Sequence, residues 1–371
     1  MLTAELIAQL AAARTISLKS YSSFDLHGAV NLGDVDSAGH PAIESLVIDA
    51  PAIGGYGAGD RIIRAGSITL VSSTSGVAQP YARAPDGTGS LTFEAGTLAA
   101  GGGGVIVRGE GDKSVQGFDV TRLAASDRVA GRGTGSLAVT GDLAVTTGVL
   151  TEETGAHQSL ISTGVLNVAR SGDGAAPSAG VGARLLLSGA RVIDSGVIAL
   201  TAGALTLAAT GSGTADDVVL SEGALVDVSG ARKNYGSSVA YAPGGFVELS
   251  SSAGSVRVLS GATVDVSGAG DGGDAGALKV AAANGALILA GNADGHAAAG
   301  YRGGTIAVDV GALPEFSTLN TSLNAGGFAE ERSLRVRGGN VVIASTDTVA
   351  ARRFSPPMEL PIDKIRIHRQ T

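Results

Sequence analysis

The chain has 371 residues, 58 of them Gly, with no Cys and no Trp, and its 26 basic and 34 acidic residues leave a formal charge of −8. The missing Cys excludes a disulfide scaffold and any thiolate metal centre, the glycines keep no three-residue period and so exclude collagen, and the acidic balance argues against a nucleic-acid partner. Hydrophobic residues at 44% exclude ordinary disorder, and aromatics at only 4% demand a core of small and branched aliphatic side chains.

In chain order, Leu2, Leu6, Ile7 and Leu10 share one helical face, which predicts a short amphipathic helix or cap over 1–14. The stretch 1–13 has no basic start and Glu5 interrupts it, so no signal peptide is read there. From 15 to 350 one pattern recurs: a run of four to six residues alternating apolar with polar, then Gly with Ser, Asn or Asp. Such runs fall at 137–140, 143–146, 185–187, 197–200, 205–207, 218–220, 226–228, 247–249, 256–259, 264–266, 278–280, 287–289, 306–310, 334–336 and 341–343. Short runs with dense turn punctuation predict strands. The uncharged stretch 195–215 breaks into such pieces and is read as strands, not as a membrane helix. Alternation places Val256 and Val258 inward with Arg257 outward, and turns Lys279 and Asp309 outward likewise. Irregular stretches are expected at 31–41, 51–60, 72–89, 101–104, 171–182, 231–245, 268–276 and 291–304. The tail 351–371 carries Pro356, Pro357 and Pro361 and, from Arg352 on, no Gly; it ends the pattern.

The strongest repeat sets Gly223-Ala224-Leu225-Val226-Asp227-Val228-Ser229-Gly230 against Gly261-Ala262-Thr263-Val264-Asp265-Val266-Ser267-Gly268, 38 residues on. The single change, Leu225 to Thr263, falls on the outward parity, as expected of two stacked copies of one strand. Paired glycines also precede Phe246 and Thr305. Self-similarity at this period, built from strands and turns alone, predicts an all-β solenoid in which stacking pairs the strand edges of each coil. Gly is expected to supply positive φ at the corners. The offset of 38 fits either one coil with an excursion at 231–245 or two coils of half that length.

Catalytic signals are sparse. None of the five histidines, His27, His40, His157, His296 and His368, lies within four residues of another, so no local metal-ligand pair exists. No nucleophile elbow or phosphate loop occurs. Asp216-Asp217 reads as a turn, since neighbours on a strand would face opposite ways. The stretch 270–276 resembles only half of a calcium-binding nonapeptide. Arg108-Gly109-Glu110 is not the integrin tripeptide, and Asn320-Thr321-Ser322 is a sequon only in a eukaryotic secretory setting. No catalytic, cofactor-binding or metal residue is assigned. Tyr235, Tyr241 and Tyr301 supply rare aromatic surface on the loops 231–245 and 291–304 and are the candidate ligand-binding residues.

The Gly-x-x-Val-Asp-Val-Ser-Gly strands, the Gly244-Gly245-Phe246-Val247-Glu248-Leu249-Ser250 unit, the stretch 273–278 and the opening 18–28 resemble the filamentous haemagglutinin family, bacterial exoproteins of two-partner secretion systems. The resemblance covers roughly residues 1 to 350 and is closest to an internal shaft segment; the family's secretion-domain Asn-Pro-Asn motif does not occur here. It implies a right-handed parallel β-helix, secreted or displayed on the bacterial cell surface, and an adhesive, non-enzymatic role towards host-cell or matrix glycans or proteins. It also implies export of the parent protein through an outer-membrane transporter. Two alternatives share the rod: a carbohydrate-active β-helix enzyme, which predicts outward carboxylates converging in one groove, and an autotransporter passenger fragment. Unpaired coil ends predict end-to-end self-association.

Overall fold

A computed structural model describes residues 10, 13–74, 80–96, 103–172 and 180–355. Its regular secondary structure is almost entirely parallel β-strand, a parallel β-solenoid, divided into two compact units. The first comprises Met1–Gly180, Leu185–Gly189 and Gly196–Ile198, and the second holds the rest. The expected helix over 1–14 lies almost wholly outside the described residues, as do 173–179 and the tail from 356.

In the N-terminal unit each turn visits three stacks of strands. The first stack runs Thr15–Lys19, Ser45–Asp49, Ser67–Val71 and Val105–Arg108, then the ends of Val120–Gly131 and Asp142–Glu152, all parallel and in register. The second runs Ser23–His27, Ala52–Tyr56, Gly111–Gln116, Thr134–Val139 and His157–Ser162. The third begins Val30–Leu32, Arg61–Ala65 and Ser90–Ala95 and ends at Val165–Arg170. Inward residues such as Leu91, Phe93, Leu123, Val145, Leu166 and Val168 are fully buried. Each such side chain contributes roughly 1.5–3 kcal/mol.

The second stack bypasses one turn: Ser114 pairs directly with Ala52, and the described residues between Val71 and Ser90 supply no strand to it. From that turn the Tyr81 hydroxyl meets the Ser114 hydroxyl (3.0 Å) and the Ile53 carbonyl (3.3 Å) on the two strands so joined. This corrects one expectation. The stretch 51–60 is not irregular but contains Ala52–Tyr56, buried on both faces. Within it Gly55 is required because a side chain there would collide with the Gly117 carbonyl and the Phe118 ring.

In the C-terminal unit the first stack is Leu225–Asp227, Thr263–Asp265 and Asn292–Asp294. The second is Ala204–Ala209, Phe246–Ser251, Ala277–Leu289 by its first half, Thr305–Ala312, Glu331–Val336 and Arg353–Ser355. The third is Arg191–Ser195, Val218–Leu220, Val256–Val258 and the end of Ala277–Leu289. Leu225 pairs with Thr263 and Asp227 with Asp265. The 38-residue repeat is therefore one coil with an excursion, and Ala224, Val226, Val228, Ala262, Val264 and Val266 all point inward. The outward charges pair between coils: Arg257 with Asp217 (2.6 Å), Lys279 with Glu248 (2.9 Å) and Arg337 with Asp309 (2.7 Å).

Three further expectations fail. The run 341–343 is not a strand; Val341 is buried but Val342 is exposed, so no inward alternation holds it. Strand pairing passes residue 350, because Arg353–Ser355 still stacks on Glu331–Val336. A helix, α1 (Phe316–Ala325), buries Phe316, Leu319, Asn320 and Leu323. It packs beside Asn292–Asp294 and, with Leu313, closes an apolar cavity of about 190 Å³ against Leu287 and Leu289. It stands where the next strands of two stacks would be, so it covers their last edges. Among the described residues no helix is long and apolar enough to cross a membrane.

Candidate functional site

The corner between the first and second stacks of the C-terminal unit carries three successive excursions. They differ in length, yet each is closed at its base by the same bond. The Gly245 N–H donates to the Val228 carbonyl, Gly276 to Val266 and Gly304 to Gly295, each at 2.7 Å. Each acceptor directly follows an aspartate that ends a first-stack strand. The rod is therefore continuous whatever the excursion carries.

Glycine permits that closure. Gly203, Gly245, Gly276 and Gly304 stack directly before the register-matched residues Ala204, Phe246, Ala277 and Thr305. A side chain at 245 or 276 would collide with the carbonyl of the glycine one turn earlier. None of these four has a positive φ, so the expectation that corner glycines serve left-handed backbone is corrected here; close approach is the reason. It does hold at the start of the repeat, where Gly223 and Gly261 sit at φ 83° and 82°.

The first excursion is an antiparallel hairpin, Ala231–Asn234 with Val239–Ala242. Such a ribbon is marginal alone, and here the neighbouring excursions hold it. Arg232 pairs with Asp271 (3.2 Å), and the Tyr241 ring lies over Gly272 and meets Tyr301 edge-on at 6.2 Å. The second and third excursions are joined by Arg302, whose Nε, guanidinium terminus and backbone N–H all donate to Asp274 at 2.7–2.9 Å. These bonds hold the Asp274 carboxyl below its ordinary range and raise Arg302. The stretch that resembles half a calcium loop thus commits both carboxylates, Asp271 and Asp274, to arginines.

The structure therefore brings Tyr241 and Tyr301 together and leaves Tyr235 apart, exposed at the hairpin turn. At the base of the excursions runs a groove of about 570 Å³, floored by Gly203, Gly245 and Gly276 and edged by Arg184, Phe246 and Arg302; neither tyrosine lines it, although Arg302 follows Tyr301 in the chain. Phe246 is itself partly exposed.

The same corner stacks Asp227, Asp265 and Asp294 in one column, spaced by about 4.8 Å per strand. Each accepts the N–H two residues on: Ser229 (2.9 Å), Ser267 (2.8 Å) and His296 (2.9 Å). His296 Nδ1 also meets Asp294 at 2.8 Å. Burial, reinforced by the carboxylates on either side, pushes Asp265 up. Among the described residues no cluster of three His, Cys, Asp or Glu is placed to hold a metal. Asp216 and Asp217 diverge: the first closes a turn onto Gly213, and the second is buried and bonds Ser255 and Arg257.

Sequence reasoning found two members of the aspartate column through the octapeptide repeat and missed the third, because 291–296 departs from it. It also missed Arg232 and Arg302 as clasps between loops; their partners lie 39 and 28 residues away, with no local signal. No protein-family model matches the chain, and comparison with curated proteins and with solved structures finds no match.

Proposed function

We propose that the chain is a non-catalytic adhesive rod, a stack of strands that displays loop-borne side chains to a partner outside the cell. The observation that carries this reading is the clasped corner of the C-terminal unit, where excursions on a common base pair Tyr241 with Tyr301 and a groove edged by Phe246 and Arg302 opens at that base. Paired tyrosine rings with a polar rim suit a glycan or protein surface, since aromatic faces supply contact area at low entropic cost. The resemblance of the strand motifs to filamentous haemagglutinins supports a secreted or surface location and a parent protein exported through an outer-membrane transporter. The test is binding of purified protein to host cells and to a panel of immobilised glycans. Tyr241→Ala/Tyr301→Ala should weaken attachment at least about tenfold, roughly 1.4 kcal/mol, with folding retained. Unchanged attachment would overturn the reading.

One observation favours a second reading, a carbohydrate-active enzyme: the outward aspartate column with a raised central carboxyl, a setting in which one acid and one base could share a site. It predicts polysaccharide turnover that Asp265→Asn abolishes, and reducing-end release would detect it.

A further inference from the structure

We propose that the Arg108–Glu152 ion pair, closed across Gly131, is a register key that fixes which turn stacks on which in the N-terminal unit. Arg108, Gly131 and Glu152 occupy one position on three successive turns of the first stack. The guanidinium and the carboxylate therefore meet by reaching past the turn between them, and both are fully buried. A side chain at 131 would overlap the carboxylate. The pair closes only where a cation and a carboxylate flank a glycine at this position on successive turns.

A solenoid needs such a device because its turns are nearly interchangeable. On this stack the inward residues are Ile106, Val129 and Leu150, which bury similar apolar area in any order. This unit also shows that one stack can pair strands from turns that are not successive, since in the second stack Ser114 pairs directly with Ala52 while the intervening turn keeps its strands in the first and third. A slip by one turn on the first stack would bury Arg108 and Glu152 without each other, and nearby groups offer no substitute. The Lys113 amine is taken by the carbonyls of Gly109, Glu110 and Gly111, and the Gln158 amide by that of Arg132.

The pair is poorly built as a stabiliser. Arg108 Nε and one terminal nitrogen, and Glu152 Oε2, have no hydrogen-bond partner. Buried pairs with incomplete partners are typically no better for stability than apolar residues of the same size, and register is the best-attested use of such groups.

The chain has no Cys, so engineered cysteine pairs report register without background. Val107→Cys/Ala130→Cys joins register neighbours. Val107→Cys/Thr151→Cys spans two strands, about 9.6 Å, too far to bridge unless a turn has slipped. In the full chain with the pair intact, only the first should cross-link. With Arg108→Met/Glu152→Met the fold should persist, and the second cross-link should appear in at least a tenth of molecules. The exchanged pair Arg108→Glu/Glu152→Arg should restore the single register. A Met/Met variant that keeps only the native cross-link, or that no longer folds, overturns the proposal. So does an exchanged pair that slips as the Met/Met variant does.

Discussion

The two units solve the corner of the solenoid differently. A turn leaves carbonyls that must find donors. In the N-terminal unit the donors are buried cations reaching from inside. The fully buried Arg61 donates to the carbonyls of Tyr56, Gly57, Gly59 and Thr88, and Lys113 holds those of Gly109, Glu110 and Gly111. In the C-terminal unit the corner between the first two stacks closes backbone to backbone over glycine, at Gly245, Gly276 and Gly304. The first solution ties long charged side chains into the interior and leaves little freedom outside. The second leaves that corner free of buried charge and lets the chain depart and return between fixed closures; the C-terminal unit's own buried cation, Arg332, serves the carbonyls of Phe328 and Ala350 beside helix α1 instead. The excursions belong to the second and carry Tyr235, Tyr241 and Tyr301, while the N-terminal unit has an exposed tyrosine of its own in Tyr21.

The comparison can be broken first at the cations. Arg108→Ala should cost about 3–5 kcal/mol, because Glu152 is then buried alone, and hydrogen exchange should place the loss in the N-terminal unit. Loss spread equally over both units would contradict it. Next comes pH. Burial first, and then the Arg108 charge, depress Lys113 from 10.5 to about 8. A lysine with a lowered folded pKa favours the folded state fully only above its unfolded value, and that contribution is lost as pH falls through about 8. The N-terminal unit should therefore gain stability from pH 8 towards 10, by at most about 3 kcal/mol. Lys113→Met should flatten the slope, measured by denaturant unfolding at each pH. Glycine sharpens the other side: Gly245→Ala should destabilise the C-terminal unit by about 1–3 kcal/mol. Gly270→Ala, at a position with open space around it and no positive φ, should change little.

Much of this was legible in the sequence, unevenly. Parity was readable wherever a strand has one dry face, as at Val256–Val258, because alternation is then enforced. It failed at Ala52–Tyr56, which is dry on both faces and carries two glycines. It also misled at 341–343, where an apolar run has no stack to join. Helix α1 left a signal, Phe316, Leu319, Asn320 and Leu323 at helical spacing, hidden by the strand pattern on both sides of it. At the site, the tyrosines were visible as rare residues, but their pairing was not. Tyr241 and Tyr301 meet only because the intervening turns stack their excursions, and stacking register is a property of all the turns of the unit together.

On the proposed function, the excursions of the C-terminal unit bind while the stacked turns beneath them fold without their help. The direct measurement is to excise the hairpin, joining Ala231 to Ala242, and to follow thermal unfolding and cell attachment together. Because the Gly245–Val228 closure lies beneath the hairpin, the melting temperature should move by less than about 3 °C while attachment is lost. A large fall in melting temperature, or attachment that survives, would contradict it.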